Sequence, residues 1–474
     1  MANLRSLHDW SGPPAILTLL RPSAMSMEQA LCAPVSSIPP SYEQEQHLRG
    51  YRACELQELE MARLLIVVWE ETGRCDLRAM NHVVTAHLRR HDTYHSWFEE
   101  RGDTIERHVL ANPESIQMEL VTIGEVVAED WQRHVAATSS PFAWDCFHFG
   151  ILQYAHGFTC FACIDHVHAD STIIAFVMEE IHGAYRAILD GETPVRFAEQ
   201  GRYLDYCSSQ RQRLAAMTLA DPDVIEWVAF LSRNHWRMPT FPMPLDITVD
   251  RCLAEYVNID ILEDANMAAF ESACHVAGAR VIGGLLACAA LAERQLTGAK
   301  CYSVVTPTTT RKSPESFRTT GWCMGVIPID FEIGEQTFVD LALTAQCIFD
   351  GRSTLANVPI ERILELAADL SKVRPVATGG VMLSFMDISL PPLGAHIARD
   401  WYRSNGRVYI NQGAAAQVVL WFFRSAHGLT VTVAYPANPT ARASLRGYID
   451  ALKIECLRAA VAMAPTPSRL GPSL

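Results

Sequence analysis

No block of basic residues occurs in this chain. Arg89-Arg90 and Arg311-Lys312 are only pairs, and 39 Lys and Arg stand against 53 Asp and Glu, for a formal net charge of −14. Nucleic acid and anionic membrane surfaces both demand clustered cations, so nucleic acid is excluded as a partner. A local basic site for an anionic ligand such as coenzyme A is still allowed. No long hydrophobic run is present either. The greasiest stretch, Ile282 to Leu291, falls short of the about 20 residues a bilayer requires, so no transmembrane segment is expected. Met1 to Pro14 holds no apolar run of the signal-peptide kind. The expected location is the cytoplasm or, with peripheral contact only, the inner face of the plasma membrane. The 14 cysteines follow no spacing pattern. That argues against a disulfide framework and for reduced, mostly buried thiols. The one CxxC, Cys160 to Cys163, lies in a β-like run, where positions three apart face opposite sides.

What the chain does have is apolar mass. Of its 474 residues 49% are hydrophobic and 19% charged, enough for large cores and roughly two to four domains. Ser41 can cap a helix from Tyr42 to about Leu59, with Glu43 and Glu45 in its first turn. Arg63 to Glu70 reads as a buried strand, Asp76 to Arg90 as an amphipathic helix, and Thr93 to Glu99 and Arg107 to Leu110 as strands. Strands Cys146 to Tyr154 and Phe158 to Ile164 flank a turn. The polar run His166 to Asp170 follows, and then a helix, Ser171 to Leu189. Helices Arg202 to Ala220 and Pro222 to Arg233 lead to Pro239, Pro242 and Pro244, which break any regular element.

That segment is taken as the boundary, giving a first domain over 1–234, a proline-rich linker over 235–245, a second domain over 246–463 and a flexible tail over 464–474. The second half restarts with a strand (Ala254 to Ile259) and two helices (Glu263 to Ala277, Val281 to Thr297). Strands follow at Tyr302 to Pro307, Val326 to Phe331, Val381 to Phe385, Gln417 to Arg424 and Leu429 to Tyr435. Helices lie near Val339 to Phe349 and Pro359 to Ala368, with a closing helix from Ala441 to about Met463. Without strict βαβ alternation, the fold class is α+β.

The run between a strand end and a helix start carries the chemistry, and three readings of it compete. Asp170 or Ser171 caps the helix and the histidines are ordinary loop residues. Alternatively, His166-Val167-His168-Ala169-Asp170 begins a metal site of the metallo-β-lactamase type and a metal-dependent hydrolase. That signature expects a His where Ser171 stands, and further ligands downstream. In the third reading the imidazole of His166 is a general base, which at neutral pH can take a proton from a hydroxyl. Asp170 then braces the loop, and a buried Asp needs a cation, because an unpaired buried carboxylate is very costly.

The chain resembles the condensation-domain and chloramphenicol-acetyltransferase-like superfamily, and within it the mycobacterial polyketide-associated (Pap) acyltransferases, especially those acylating trehalose. The likeness runs nearly end to end. It is carried by Ser41 to Gln44, His87 to Phe98, Asp145-Cys146-Phe147, Asp165 to Asp170, Gly278-Ala279-Arg280, Ala287 to Glu293, Thr310 to Pro314, Thr320-Gly321-Trp322 and Tyr435 to Asn438-Pro439. The resemblance implies two acetyltransferase-like sandwich domains forming a pseudo-dimer with an interdomain active-site tunnel. It makes His166 the catalytic base and Asp170 its loop brace, paired with Arg311 of the second domain.

Many members read His-His-x-x-x-Asp-Gly; here the first His is Asp165 and the Gly is Ser171. His168, Ser171, Gly321 and Trp322 are candidate substrate-binding residues. No metal and no cofactor are implied. The expected substrates are an acyl thioester, from acyl-CoA or a carrier, and a sugar or lipid alcohol, such as trehalose or a trehalose-based cell-wall glycolipid. A polyketide synthase or a lipid transporter is the expected protein partner. A non-catalytic carrier-binding module of a polyketide assembly line is the other alternative.

Overall fold

The structure is a computed structural model and describes residues 4–192, 200–247, 252–368, 380–388, 390 and 394–462. The tail expected over 464–474 lies outside these residues.

Two mixed sheets carry two lobes. The first has seven strands in the order Leu4–Ser6, Arg407–Ile410, Leu64–Thr72, Gly157–Asp165, Phe147–Gln153, Ala15–Pro22, Met118–Val126. Strand alternation gives it two apolar faces. Cys160, Ala162 and Ile164 enter one core with the helices Leu77–Arg90 and Ile173–Leu189, while Phe161 and Cys163 enter another with Trp10 and Trp131. The two cysteines of the CxxC therefore face opposite sides, as their spacing requires. The second sheet runs Met324–Glu332, Cys301–Thr309, Val381–Asp387, Val418–Ser425, Gly428–Pro436, Ala254–Glu263. Helices Asp264–Val276, Val281–Thr297, Phe338–Gly351 and Pro439–Ala462 contribute to its core. Among the described residues no single helix is long and apolar enough to cross a membrane. The apolar pair Asp264–Val276 and Val281–Thr297 is bent by 94° and supplies buried side chains to the second core.

Packing does not divide the chain at 234/246. Leu214, Val224, Trp227, Phe230 and Leu231, from the helices Tyr203–Ala216 and Pro222–Arg233, are buried in the second core. Conversely, Ile397 and Trp401 enter a core of the first lobe, and Arg407–Ile410 fills the slot between Leu4–Ser6 and Leu64–Thr72. The proline segment is no free linker, because Phe241 and Leu245 are buried in the second core. Its prolines break regular structure without releasing the chain, and that break is a poor guide to which core the flanking residues join.

The first-lobe elements absent from the sequence reading are the strands Leu4–Ser6, Ala15–Pro22, Met118–Val126 and Arg407–Ile410 and the helices Ala24–Leu31, Ala128–Ala136 and Gly394–Arg403. The capped helix runs Tyr42–Leu56, three residues shorter than expected. Glu58 takes a positive φ of 55° and the Leu59 N–H turns back to the Cys54 carbonyl at 2.8 Å, ending the helix.

Candidate active site

The strand Gly157–Asp165 delivers the polar run to the seam between the lobes. Its end is tied on both sides: the Asp165 N–H donates to the Cys146 carbonyl (3.1 Å) and the His166 N–H to the Arg63 carbonyl (2.8 Å). The chain then turns tightly. The His168 N–H donates to the Asp165 carbonyl (2.9 Å) and the Val167 N–H to Asp165 Oδ1 (2.9 Å).

Because the run turns, His166 and His168 part company. His168 is fully buried, with its ring near Tyr94 and Phe147 and Nδ1 3.2 Å from Thr93 Oγ1. Burial lowers its pKa to about 4, so it is a neutral core residue that does not line the site. Ser171 is exposed and its hydroxyl lies 3.7 Å from the Met324 sulfur.

Asp170 is fully buried. Its Oδ2 accepts from Arg311 Nη1 (2.7 Å) and from the Cys323 N–H (2.9 Å), and its Oδ1 accepts from the Thr172 N–H (3.0 Å). Helix entry and inter-lobe tether are thus one carboxylate. Arg311 Nη2 also donates to the carbonyls of Thr319 (3.0 Å) and Gly321 (3.2 Å). At Gly321 φ is 149° and an added Cβ would stand 2.2 Å from the Tyr203 ring, so only glycine fits there. Next to it, Trp322 lies against the catalytic candidate: the His166 and Trp322 ring centroids are 3.8 Å apart. His166, Asp170, Arg311, Gly321 and Trp322 are thus brought together, and His168 is not. With its ring in the core, and Asp170 committed to Arg311, the ligand set of the metal reading does not converge.

His166 is half-buried. Its Nδ1 is buried and bonds to no other residue. The residue's own backbone favours a proton on the ring, and with Nδ1 buried, Nε2 is the nitrogen left to face a substrate. Burial first, and then the charge of His47, lower the pKa to about 4, against opposing contributions from Asp170 and Asp165. The ring is therefore neutral at physiological pH and able to accept a proton.

Sequence reasoning missed the support around it. Gln44 Nε2 donates to the Val167 carbonyl (2.8 Å), while its Oε1 accepts from Arg107 Nη2 (2.6 Å) and from the Ser41 N–H (3.2 Å). Asp165, fully buried, is met by Arg63 and by His47 Nε2 (2.8 Å). Burial alone would raise this carboxyl, yet His47, Arg63 and the Val167 N–H hold it at about 2. The charge argument applied to Asp170 holds equally for Asp165 and would have called for a cation there. Elsewhere, His87 Nδ1 and His91 Nε2 bond the two oxygens of Glu180 at 3.2 and 3.1 Å, with Arg90 Nε 3.6 Å from the same carboxylate. The buried Glu180 carboxylate is satisfied by these hydrogen bonds and a guanidinium, while His87 Nε2 has no hydrogen-bond partner.

Several buried histidines share one consequence. Burial lowers His91 and His168 to about 4 and His148 to about 3. An unfolded chain takes up protons on these rings near the ordinary value of about 6.5, where the folded chain cannot. Stability is therefore complete above that value and declines as pH falls from 6.5 towards 4. A melting series from pH 7.5 to 4.5 should show a progressive fall in Tm; a flat series would contradict the neutral, buried assignment.

Known proteins resemble this chain in sequence and in fold. The condensation-domain family model matches residues 51–374. Trehalose-2-sulfate acyltransferase PapA2, from Mycobacterium bovis and Mycobacterium tuberculosis, is 40% identical over 462 residues, covering 97% of this chain and 98% of the relative. The 2'-acyl-2-O-sulfo-trehalose (hydroxy)phthioceranyltransferase PapA1 of both species is 37% identical over 469 residues, covering 99% of this chain and 90% of the relative. A solved PapA2 acyl transferase superposes with a TM-score of 0.92 at 39% identity, covering 97% of this chain and 99% of that one. The condensation domain of the Monacolin K polyketide synthase MokA, at 15% identity, shares the fold with a TM-score of 0.67 over 90% of this chain and 99% of that one. With the two-lobed architecture, these likenesses identify an acyltransferase. The chain belongs to the condensation-domain family and, within it, to the Pap acyltransferases.

Proposed function

We propose that the enzyme moves a long-chain or polyketide-derived acyl group from a thioester to a hydroxyl of trehalose or a trehalose-based glycolipid, with His166 as general base. The observation that carries this reading is the neutral His166 imidazole, whose Nδ1 is closed off while the ring stays accessible at the seam. Nε2 takes the hydroxyl proton as the oxygen attacks the thioester carbonyl. The tetrahedral oxyanion collapses, the C–S bond breaks, and the leaving thiolate takes the proton back from His166. The base is regenerated, with no acyl-enzyme intermediate and no metal or cofactor beyond the thioester itself. The names of PapA2 and PapA1 give trehalose 2-sulfate and its acylated form as their acceptors, which supports a disaccharide acceptor here. Donor delivery by a polyketide synthase carrier, export through a lipid transporter, and a site of action in the cytoplasm or at the inner membrane face complete the proposal.

The test is a mass-spectrometric screen of acyl-CoA donors of increasing length against trehalose, trehalose 2-sulfate and monoacyl trehaloses. An acylated sugar should form in step with free CoA. Thioester hydrolysis without any sugar ester would overturn the reading. So would inertness towards every pair when carrier-bound donors fail as well.

A further inference from the structure

Asp165 stands where many family members carry a histidine, and the structure shows what accompanies the exchange. Its carboxylate is buried between Arg63 and His47. Arg63 is itself anchored. Its Nη2 donates to Thr138 Oγ1 and the Ser139 carbonyl (both 3.1 Å), its backbone N–H donates to Asn411 Oδ1 (2.9 Å), and its carbonyl accepts from the His166 N–H (2.8 Å). His47, from the helix Tyr42–Leu56, is buried, with its ring centroid 5.5 Å from Trp322 and 6.1 Å from His166. The rings of His47 and His166 thus both neighbour the one indole, which is contributed by the other lobe.

We infer that His47 is a positioning residue for acyl transfer: the Arg63–Asp165–His47 chain locks the residue preceding His166 and backs the Trp322 indole against which the catalytic imidazole rests. The inference rests on the reading of His166 as the base. Arg63 holds Asp165 from the strand side, so the carboxylate stays ionised and keeps the His47 Nε2–H pointed at it. The charged groups bearing on His166 are then few. Asp165 and Asp170, from its own segment, favour a proton on the ring; each is matched by an arginine, Arg63 and Arg311. His47 is the group that opposes that proton. His168, buried on the far side of the turn, is directed at Thr93 instead.

Glutamine in place of His47 reaches about as far as imidazole Nε2. It retains a donor for Asp165 without an ionisable ring, whereas alanine has no donor. In the full-length protein, His47→Ala should lower kcat on the order of a hundredfold with KM values little changed, as expected when a reacting group is slightly misplaced. His47→Gln should recover a substantial part of that loss. Its kcat/KM should nevertheless fall off at higher pH than wild type on the acid side, measured in pH jumps shorter than unfolding.

A second readout needs no turnover. In histidine-labelled protein, the ring signal absent from His166→Ala should titrate below the ordinary histidine range and move up in His47→Gln. A well-folded His47→Ala protein with wild-type kcat would overturn the inference. An unmoved His166 titration in His47→Gln would overturn it too, even if alanine failed to fold. Absence of acyl transfer by the wild type would instead count against the function, and the ring titration would still decide the role of His47.

Discussion

Asp170→Ala destabilises the folded protein by about 3–5 kcal/mol, the usual cost of removing one partner from a buried ion pair. Both side chains of the Asp170–Arg311 pair are fully buried, and the bond between them is 2.7 Å long. Removing the carboxylate leaves a guanidinium in the interior with only carbonyl acceptors, at Thr319, Gly321 and Cys323. It also frees the Cys323 N–H and the Thr172 N–H. Since Asp170 belongs to the first lobe and Arg311 to the second, the loss loosens the seam as well as the loop. Urea melts of wild type, Asp170→Ala, Arg311→Met and the double variant form a cycle that isolates the pair. The double variant should regain part of the stability lost in Asp170→Ala, because no charge is then stranded. An Asp170→Ala protein that melts with the wild type would show that the pair does not hold the lobes.

The Asp170–Arg311 contact was legible in the sequence because it follows from one electrostatic rule plus a family pattern: a buried carboxylate needs a cation, and Arg311 stands in a matching context. Regular elements were legible for a similar reason. The helix Leu77–Arg90 announces itself by its period and its Asp76 cap, and the helix Val281–Thr297 by its continuous apolar run and the Gly298 at its end. Illegible were features fixed by tertiary placement. Arg407–Ile410 is only four residues long, and its place between Leu4–Ser6 and Leu64–Thr72 depends on chain ends hundreds of residues apart. His168 differs from His166 only through a turn that no side-chain pattern encodes: it would face the pocket beside His166 only in an extended run, and the run turns. Trp322 is a candidate substrate-binding residue from the sequence, but its contact with the His166 ring depends on how the lobes meet. His47 lies on a helix that the sequence marks by its cap and first-turn charges, and nothing local marks its approach to Asp165.

The second large effect is at His166 itself. Truncating it removes the base while leaving Asp165, Asp170 and their partners in place, because none of the side-chain hydrogen bonds that hold the loop uses the imidazole. Folding should be retained, and the rate should fall by roughly 10²–10⁴, the usual contribution of general base catalysis. The loss should lie in kcat rather than KM, since the ring acts on the proton in flight. Because the thiol leaves directly, no acylated protein should accumulate in wild type or variant. The most direct test is a single-turnover measurement of ester formation from acyl-CoA and the accepted trehalose derivative. It would use wild type and His166→Ala matched for melting temperature, with intact-mass analysis of the protein during the reaction. A drop of at least a hundredfold, with unmodified protein throughout, is the predicted result. Wild-type ester formation by the folded His166→Ala protein, or an acyl group caught on the chain, would contradict the assignment of His166 as the base.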